Sequence, residues 1–523
     1  MELPPVIAAM LRPEFYPHRP AAVTLVQTHI SYVLLAGDEV YKIKKPVRFT
    51  FLDFSTLERR RHFCHEELRL NRRLAPDVYH GVVAICRDPT GYWLAADDDP
   101  DAVEYAVHMR RLPDDRLLDH LLERGEVTRE MIERIAARLV AFHRDADCGP
   151  EVAANGDPAA IWRILEDNYN GVRPFRDETI AAADDDAIQT FSGDFLRHHD
   201  ALLRRRQSER RIRDCHGDLH SEHVCFVDGI AIFDCIEFNR QFRYCDVASE
   251  IAFLAMDLDF HDRPDLASHL IAAYAAAAAD ADLARLMGFY RCYRAYVRGK
   301  VDSLKSAEAE VSDAERAEAR ASARRHFALA YRYAWTDQPC LLAICGLSGT
   351  GKSVIAGMLQ QRTGFRHVNS DVVRKQLAGV SPTARRTAKY DEGIYNAEHS
   401  AATYHAMLDF VGEELAAGRG AIVDATFQRR SDRDALRAVA MQHQVLLLFV
   451  ECQCPEEEIR RRIERRAREA GTVSDADWNI YVSQRDRFET FGADEVRDHV
   501  TVDSSRLPDV VEREIEAEIR ARQ

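Results

Sequence analysis

No run of about 18 apolar residues occurs anywhere in the chain, so nothing in it reads as a membrane-spanning helix. The longest small-residue run, Ile271 to Ala279, is short and mostly alanine. The opening MELPPVIAAMLRPEFYPHRP lacks a basic segment followed by a sustained apolar core, and no signal peptide is expected. Cysteine clusters are absent although cysteines are not. Twelve are scattered along the chain, and the close pair Cys452/Cys454 has no second pair to complete a zinc site. Free, buried or semi-buried thiols of a cytoplasmic protein are the expectation. Positive charge is in deficit, 71 Lys+Arg against 86 Asp+Glu for a net −15, which argues against a non-specific nucleic-acid coat but leaves room for a local basic pocket. There is no short-period repeat and no disordered linker. What is there is an ordinary globular composition, 46% hydrophobic and 30% charged, on a chain of 523 residues. That length exceeds what one hydrophobic core supports, so at least two domains are expected.

Two strand-bearing modules flank a helical region. In the first, Ser31–Leu35 and Glu39–Ile43 surround a Gly37-Asp38 turn, and Val224–Val227 and Ile230–Phe233 surround Asp228-Gly229. Two short apolar runs joined by such a turn predict a hairpin. From Asp246 to about Trp335 the sequence reads as helices, with no proline after Pro264, and Glu308 to Ala334 reads as one long helix or two short ones. The breakers Thr336-Asp337-Gln338-Pro339 then precede a new strand. The division is therefore set at 1–335 and 336–523.

The second module opens with Cys340-Leu-Leu-Ala-Ile-Cys345, a buried parallel strand by its pattern, followed by Gly346-Leu-Ser348-Gly349-Thr350-Gly351-Lys352-Ser353 and a helical segment, Val354–Arg362. This is the strand–loop–helix setting of a phosphate-binding loop. The glycines let the backbone wrap and present N–H groups to phosphate oxygens at a helix N-terminus. Lys352 can reach the β- and γ-phosphates of ATP, and the Ser353 hydroxyl can take a Mg²⁺ position. One helix later, Asp371 follows a short strand at Val368, with Arg374 three residues on and on the same face if a helix begins there. Such an Asp can hold or deprotonate an acceptor hydroxyl and such an Arg can stabilise phosphate, or the two are a helix cap and a solvent-facing Arg. Asp424 stands at a strand end in the strand-like Gly420-Ala-Ile-Val-Asp424-Ala-Thr426-Phe, where it can order Mg²⁺ or act as a cap. In the helical stretch Glu456 to Arg468, which also carries Arg460, Arg461, Arg465 and Arg468, Arg462 and Arg466 are four apart and can close over ATP phosphates as a lid. The segment is expected to be exposed until closure brings them in, and the glutamates among these arginines could equally make them surface ion pairs.

These motifs over residues 340–510 resemble P-loop kinases of small molecules and hydroxyl termini, including gluconate kinase, chloramphenicol phosphotransferase and polynucleotide 5′-kinase relatives. The resemblance implies that Asp371 binds or activates the acceptor, that Arg374 is its companion, and that Arg462 and Arg466 are the lid arginines.

In the first module, Cys215-His216-Gly217-Asp218-Leu219-His220 precedes the second hairpin and Asp234 follows it. Asp218 can orient a substrate hydroxyl and Asp234 can bind Mg²⁺, with His216 and His220 supporting the loop or serving as structural hydrogen bonders. This pattern resembles the aminoglycoside phosphotransferase branch of the protein-kinase-like fold. The resemblance implies a catalytic Asp218, a metal-holding Asp234, a nucleotide-binding strand carrying Lys42 as the ATP phosphate contact, and Glu67 as its partner. Val107–Pro113 resembles the hinge between the two lobes. Helical spacing places Glu67 on the Phe63/Leu70/Leu74 face, where a carboxylate needs a partner; Glu66 is the alternative, and a rim pairing with a nearby Arg is the bland one. Where the family carries a metal-binding Asn, five residues after the catalytic Asp, this chain has His223, a candidate metal ligand since neutral imidazole can bind a divalent ion although Mg²⁺ prefers oxygen. The replacement could alter metal use, weaken transfer or leave a binding-only domain, and Glu237 and Asn239 lie near enough in sequence to substitute. No glycine-rich nucleotide-covering loop precedes Lys42. Arg291, Arg294 and Arg298 give a helix a basic face, either for an anionic substrate or an acidic surface, or simply solvated.

Taken together, the modules resemble a bacterial fusion of a bilobal, protein-kinase-like (α+β) aminoglycoside phosphotransferase-type domain with a P-loop kinase α/β domain built on a parallel sheet. The expected activity is ATP- and Mg²⁺-dependent transfer of the γ-phosphate to a small-molecule hydroxyl, with the C-terminal module competent and the N-terminal one active or degenerate. The alternatives are a nucleic-acid end kinase, secondary given the net charge, and an ATP-controlled binding protein. No membrane partner is expected.

Overall fold

The computed structural model describes residues 3–49, 51–308, 311–335, 338–381, 396–468 and 477–522. Thr336-Asp337 of the expected breaker and residues 309–310 of the expected long helix lie outside the described residues. The chain divides into two compact units, Met1–Ala330 and Tyr331–Gln523. The division comes earlier than the expected 335/336. The reason is aromatic: Tyr331 lies under the Arg362 guanidinium at 4.0 Å and Trp335 packs edge-on to Phe365, so the end of the connecting helix belongs to the second unit.

The first unit begins with a six-stranded antiparallel sheet. Its strands are β1 (Val23–Gln27), β2 (Ser31–Ala36), β3 (Glu39–Lys44), β4 (Tyr79–Asp88), β5 (Gly91–Ala96) and β6 (Ala102–Arg110), in the order β1-β2-β3-β6-β4-β5. The β2–β3 hairpin turns at Gly37, whose φ of 68° is left-handed. Alternation along β3 sends Tyr41 and Ile43 to one core with Leu34, Ile85 and Ala106, and Val40 to the other with Cys64, Tyr79 and Val107. Lys42 and Lys44 share the parity of Val40, so both point towards helix α1 (Leu57–Asn71), which Thr56 caps by accepting from the Arg59 N–H. The stretch expected to be the hinge forms the end of β6.

Strand β7 (Ile212–Asp214) pairs antiparallel with β10 (Tyr244–Asp246), and between them β8 (Val224–Cys225) and β9 (Ala231–Ile232) form the second expected hairpin in shortened form. Helix α2 (Val247–Phe260) is buried on every side from Val247 to Leu258, as its near-continuous apolar sequence requires. Helices α3 (Leu283–Ala307) and α4 (Asp313–Tyr333) follow.

The second unit is a five-stranded, all-parallel sheet of β11 (Cys340–Cys345), β12 (Arg366–Asn369), β13 (Ala421–Asp424), β14 (Leu446–Gln453) and β15 (His499–Asp503), in the order β12-β13-β11-β14-β15. Every residue of β11 is buried, the signature of a central parallel strand. Around it stand α5 (Lys352–Thr363), α6 (Ser370–Leu377), α7 (Ala397–Ala416), α8 (Glu456–Arg468), α9 (Trp478–Arg487) and α10 (Pro508–Arg522). Among the described residues no helix is long and apolar enough to cross a membrane, and all twelve cysteines are free.

Candidate active sites

The loop between β11 and α5 is shaped by glycine. Gly346, Gly349 and Gly351 have φ of 123°, 89° and 90°, and a Cβ on Gly346 would lie 2.6 Å from the Cys452 carbonyl oxygen. Only a residue without Cβ fits there. Ser504 Oγ donates to the Thr350 carbonyl at 2.5 Å, the Ser348 N–H donates to Gln484 Oε1 at 2.9 Å, and Lys352 Nζ folds back on the Leu347 carbonyl at 3.0 Å. At the foot of the loop, the Ser353 hydroxyl donates to Asp424 Oδ2 at 2.6 Å. Asn369 Nδ2 donates to the same oxygen at 2.6 Å, while Asn369 Oδ1 accepts from the Asp371 and Val372 N–H groups and so caps α6. One side chain thus ties the Ser353–Asp424 pair to the helix that carries Asp371. Asp371 and Arg374 are ion-paired at 2.7 Å. His367 Nε2 stands 3.8 Å from Asp424, and burial lowers the pKa of the ring despite that neighbour.

The arginine helix is not held away from the loop. Ile459 and Ile463 form an i,i+4 apolar stripe that packs on Leu347 and Tyr481, and a Cβ on Gly349 would come within 2.8 Å of Ile459. The expectation of an exposed segment is corrected for this apolar face alone, since Arg460, Arg461 and Arg465 are exposed. Burying the two isoleucines already seats α8 on the loop. Arg462 pairs with Glu458 at 2.8 Å, donates to the Ser504 carbonyl at 2.9 Å and approaches Gly351. Arg466 feels Asp371 and Asp424 electrostatically, while burial and the like charges of Arg462 and Arg465 hold its pKa below the usual arginine range. Ser353 and Asp424 offer oxygen donors only, which fits Mg²⁺.

In the first unit, the loop after β7 is anchored from behind. Glu250, within the buried α2, accepts from the His216 N–H at 2.6 Å and the Gly217 N–H at 2.9 Å. Arg294 donates to the Gly217 carbonyl at 3.1 Å, and His216 bonds the Phe233 carbonyl at 2.8 Å. Gly217 has φ 87°, and a Cβ there would meet the Phe242 carbonyl at 2.9 Å. The basic face expected of Arg291, Arg294 and Arg298 is therefore not a solvated one. Arg294 is buried, Arg291 pairs with Asp259 at 3.0 Å, and Arg298 stands in the field of Asp218.

Burial by itself would raise the Asp218 carboxyl, but His220, His223 and Arg298 hold it far below the usual carboxylate range. Burial likewise opposes ionisation of Asp234, and Lys42 and His223 outweigh it. Lys42 lies 2.9 Å from Glu67 Oε1 and is also paired with Asp234. Glu66 instead faces Arg69 at 2.8 Å, so the helical face and not its neighbour selects the partner. Glu67 has a second partner: Lys44 Nζ sits 2.7 Å from Oε2 and also pairs with Glu237. Two lysines and three carboxylates thus form one network, buried at Lys44, Glu67 and Glu237 and open at Asp234. Asn239 does not join it; its side chain caps the short helix Arg240–Arg243.

Lys44 and Glu250 were missing from the sequence-based site, while Glu237 had been weighed only as a substitute metal-binding residue and Arg294 only as part of a basic helix face. The two missing residues had a signal: Lys44 is two residues from Lys42 and so on the same strand face, and Glu250 is a lone carboxylate early in a nearly all-apolar helix. Gln484 and Ser504, which fasten the phosphate loop, had none.

Comparison with known proteins adds the family. Residues 36–289 match the phosphotransferase enzyme family and residues 341–491 match the AAA domain family. Over 451 residues, the chain is 31% identical to the uncharacterized proteins Mb2027c of Mycobacterium bovis and MT2060 and Rv2004c of Mycobacterium tuberculosis, covering 86% of this chain and 87% of each relative. Among solved structures, a sugar kinase from Janibacter sp. HTCC2649 is 18% identical (35% of this chain, 95% of that one, TM-score 0.27). A gluconokinase from Sinorhizobium meliloti 1021 is 22% identical (35% and 93%, TM-score 0.26). The chain, in which a phosphotransferase-family domain precedes a P-loop kinase-like AAA domain, is an ATP-dependent kinase and belongs to the family that these mycobacterial proteins share.

Proposed function

We propose that the C-terminal unit transfers the γ-phosphate of ATP to a hydroxyl group of a small molecule. The observation that carries this reading is Asn369, which binds Asp424 beside the phosphate loop with one end of its amide and caps the Asp371 helix with the other. Asp371 is in that way held at a set distance from the loop. In the proposed reaction Asp371 orients the acceptor hydroxyl and takes its proton as the oxygen attacks the γ-phosphorus, the bond from that phosphorus to the β,γ-bridging oxygen breaks and ADP leaves. Arg374 positions Asp371, and Lys352, Arg462 and Arg466 offset the negative charge on the phosphoryl oxygens. Ser353 and Asp424 would hold Mg²⁺, which supplies charge neutralisation at the phosphates.

The pairing of Lys42 with Glu67, together with Asp218 and Asp234 around the anchored loop, favours a second phosphotransfer centre in the N-terminal unit. A labelled γ-phosphate screen with the intact chain, across small hydroxyl compounds and nucleic-acid ends, tests both. Lys352→Ala and Asp371→Asn are each expected to lower transfer by about 10²–10³. Product that depends only on Asp218 would move the chemistry to the first unit, and transfer unchanged in Lys352→Ala would overturn the assignment.

A further inference from the structure

The donor set at the N-terminal centre does not match the ion that a phosphotransferase family implies. Mg²⁺ takes oxygen ligands in near-octahedral geometry. Here the residue facing Asp234 is His223. Its Nδ1 lies 2.9 Å from the Asp218 carbonyl oxygen, so Nδ1 carries the proton and donates, leaving Nε2 with its lone pair. That lone pair faces Asp234 Oδ2 at 3.6 Å, while Asp234 Oδ1 is engaged by Lys42. The separation is too long for a hydrogen bond, as is the 3.6 Å from Nδ1 to Asp218 Oδ2, so neither carboxylate holds the ring by a direct hydrogen bond. The gap from Nε2 to Asp234 Oδ2 is the spacing of two ligands on one cation: bonds of about 2.0–2.2 Å at a tetrahedral angle leave ligand atoms about 3.3–3.6 Å apart. His220 completes the surroundings. Its ring centroid is 4.1 Å from that of His223 and its Nε2 is 3.5 Å from Asp218 Oδ2, and ligand atoms of Asp218, His220 and His223 all fall within 4.8 Å of one another. A ring fixed through its other nitrogen by a backbone carbonyl is also how proteins orient metal-ligating histidines.

We propose that His223 Nε2 and Asp234 Oδ2, with the Asp218 and His220 side chains clustered around His223, form a site for a first-row transition-metal dication of the Zn²⁺ or Co²⁺ class, and that Mg²⁺ does not fill it. Imidazole nitrogen favours such ions, whereas Mg²⁺ gains little from it. This inference builds on the reading of the N-terminal unit as a second phosphotransfer centre, but its test reads metal alone. Metal-stripped, nucleotide-free full chain is titrated with Co²⁺ by visible absorption and with Zn²⁺ by calorimetry, with and without a large excess of Mg²⁺.

The expected result is a Co²⁺ d–d spectrum of nitrogen and oxygen ligation that Mg²⁺ does not displace. His223→Asn should weaken Zn²⁺ and Co²⁺ by at least about 100-fold, lower the bound stoichiometry by one and let Mg²⁺ compete. Asp234→Asn should weaken binding likewise, and circular dichroism shows whether either variant remains folded. Metal bound at Ser353 and Asp424 is untouched by His223→Asn, so only the difference counts. Unchanged binding in both variants, or ready displacement by Mg²⁺, would overturn the proposal. So would a thiolate-to-cobalt charge-transfer band, which would place the ion in the buried His143, Cys215 and Glu250 cluster. A chain that binds Co²⁺ here yet transfers no phosphate at this centre would keep this inference and lose the catalytic reading.

Discussion

Lys44→Met separates the structural lysine of β3 from the functional one. Lys44 is 1% exposed and touches two carboxylates, Glu67 at 2.7 Å and Glu237. At an effective dielectric near 20, the contact with Glu67 is worth a gross attraction of about 6 kcal/mol, most of it offset by the several kcal/mol needed to desolvate each ion. Removing the ammonium forfeits the attraction but leaves Glu67 and Glu237 buried, so the expected loss is about 3–5 kcal/mol. That corresponds to a fall of about 4–7 °C in the melting temperature of the first unit. Because the chain has two compact units, whole-chain unfolding is not two-state, and hydrogen exchange at the β3 and α1 amides is the cleaner measure. Burial raises the pKa of Glu237 even beside Lys44. Without Lys44 it rises further, the folded state takes up the proton more readily than the unfolded state, and the deficit of the variant should shrink as pH falls from 7 towards 5. Lys44→Met/Glu237→Leu, which removes both members of the pair, should recover most of the loss. A loss under about 1 kcal/mol for Lys44→Met, or strictly additive effects in the double variant, would refute the buried-network account.

Gly346→Ala places a Cβ 2.6 Å from the Cys452 carbonyl at a φ of 123°, and should weaken ATP binding at least about tenfold through displacement of the loop. Gly418→Ala, at a φ of 71° in open space, should leave ATP binding unchanged; titration with a fluorescent ATP analogue compares the two. Burial holds His216 at about 4, so between the ordinary histidine value of 6.5 and pH 4 the unfolded chain takes up a proton that the folded one refuses. Its contribution therefore lowers stability as pH drops through that window, and His216→Asn should flatten the dependence, measured by urea unfolding at several pH values. Arg294→Met strands the Gly217 carbonyl and should cost about 1–3 kcal/mol, with faster hydrogen exchange in the loop carrying Asp218.

Contiguous patterns carried much of this protein in plain view. The glycine-rich loop between an apolar strand and a helix, the His-Gly-Asp segment before an Asp-Gly hairpin, and the unbroken apolar run of β11 each depend on residues adjacent in the chain. Local chemistry sets their conformation wherever they fold. Helical spacing on α1 likewise pointed Glu67 towards a buried face before any contact was known, whereas Lys42 was reached through the family resemblance.

Tertiary packing decided which neighbours those faces meet. That Glu67 serves two lysines, that Glu237 joins from 193 residues beyond Lys44, and that Arg294 braces Gly217 are consequences of strands and helices distant in sequence arriving side by side. The same holds for α8, where burial of Ile459 and Ile463 against the phosphate loop brings Arg462 to Ser504 while Arg460 and Arg461 stay exposed in surface ion pairs. Local sequence dictates backbone shape and which way a side chain points. The partner it finds there depends on desolvation and packing summed over the whole unit, and no single stretch of the chain contains that sum.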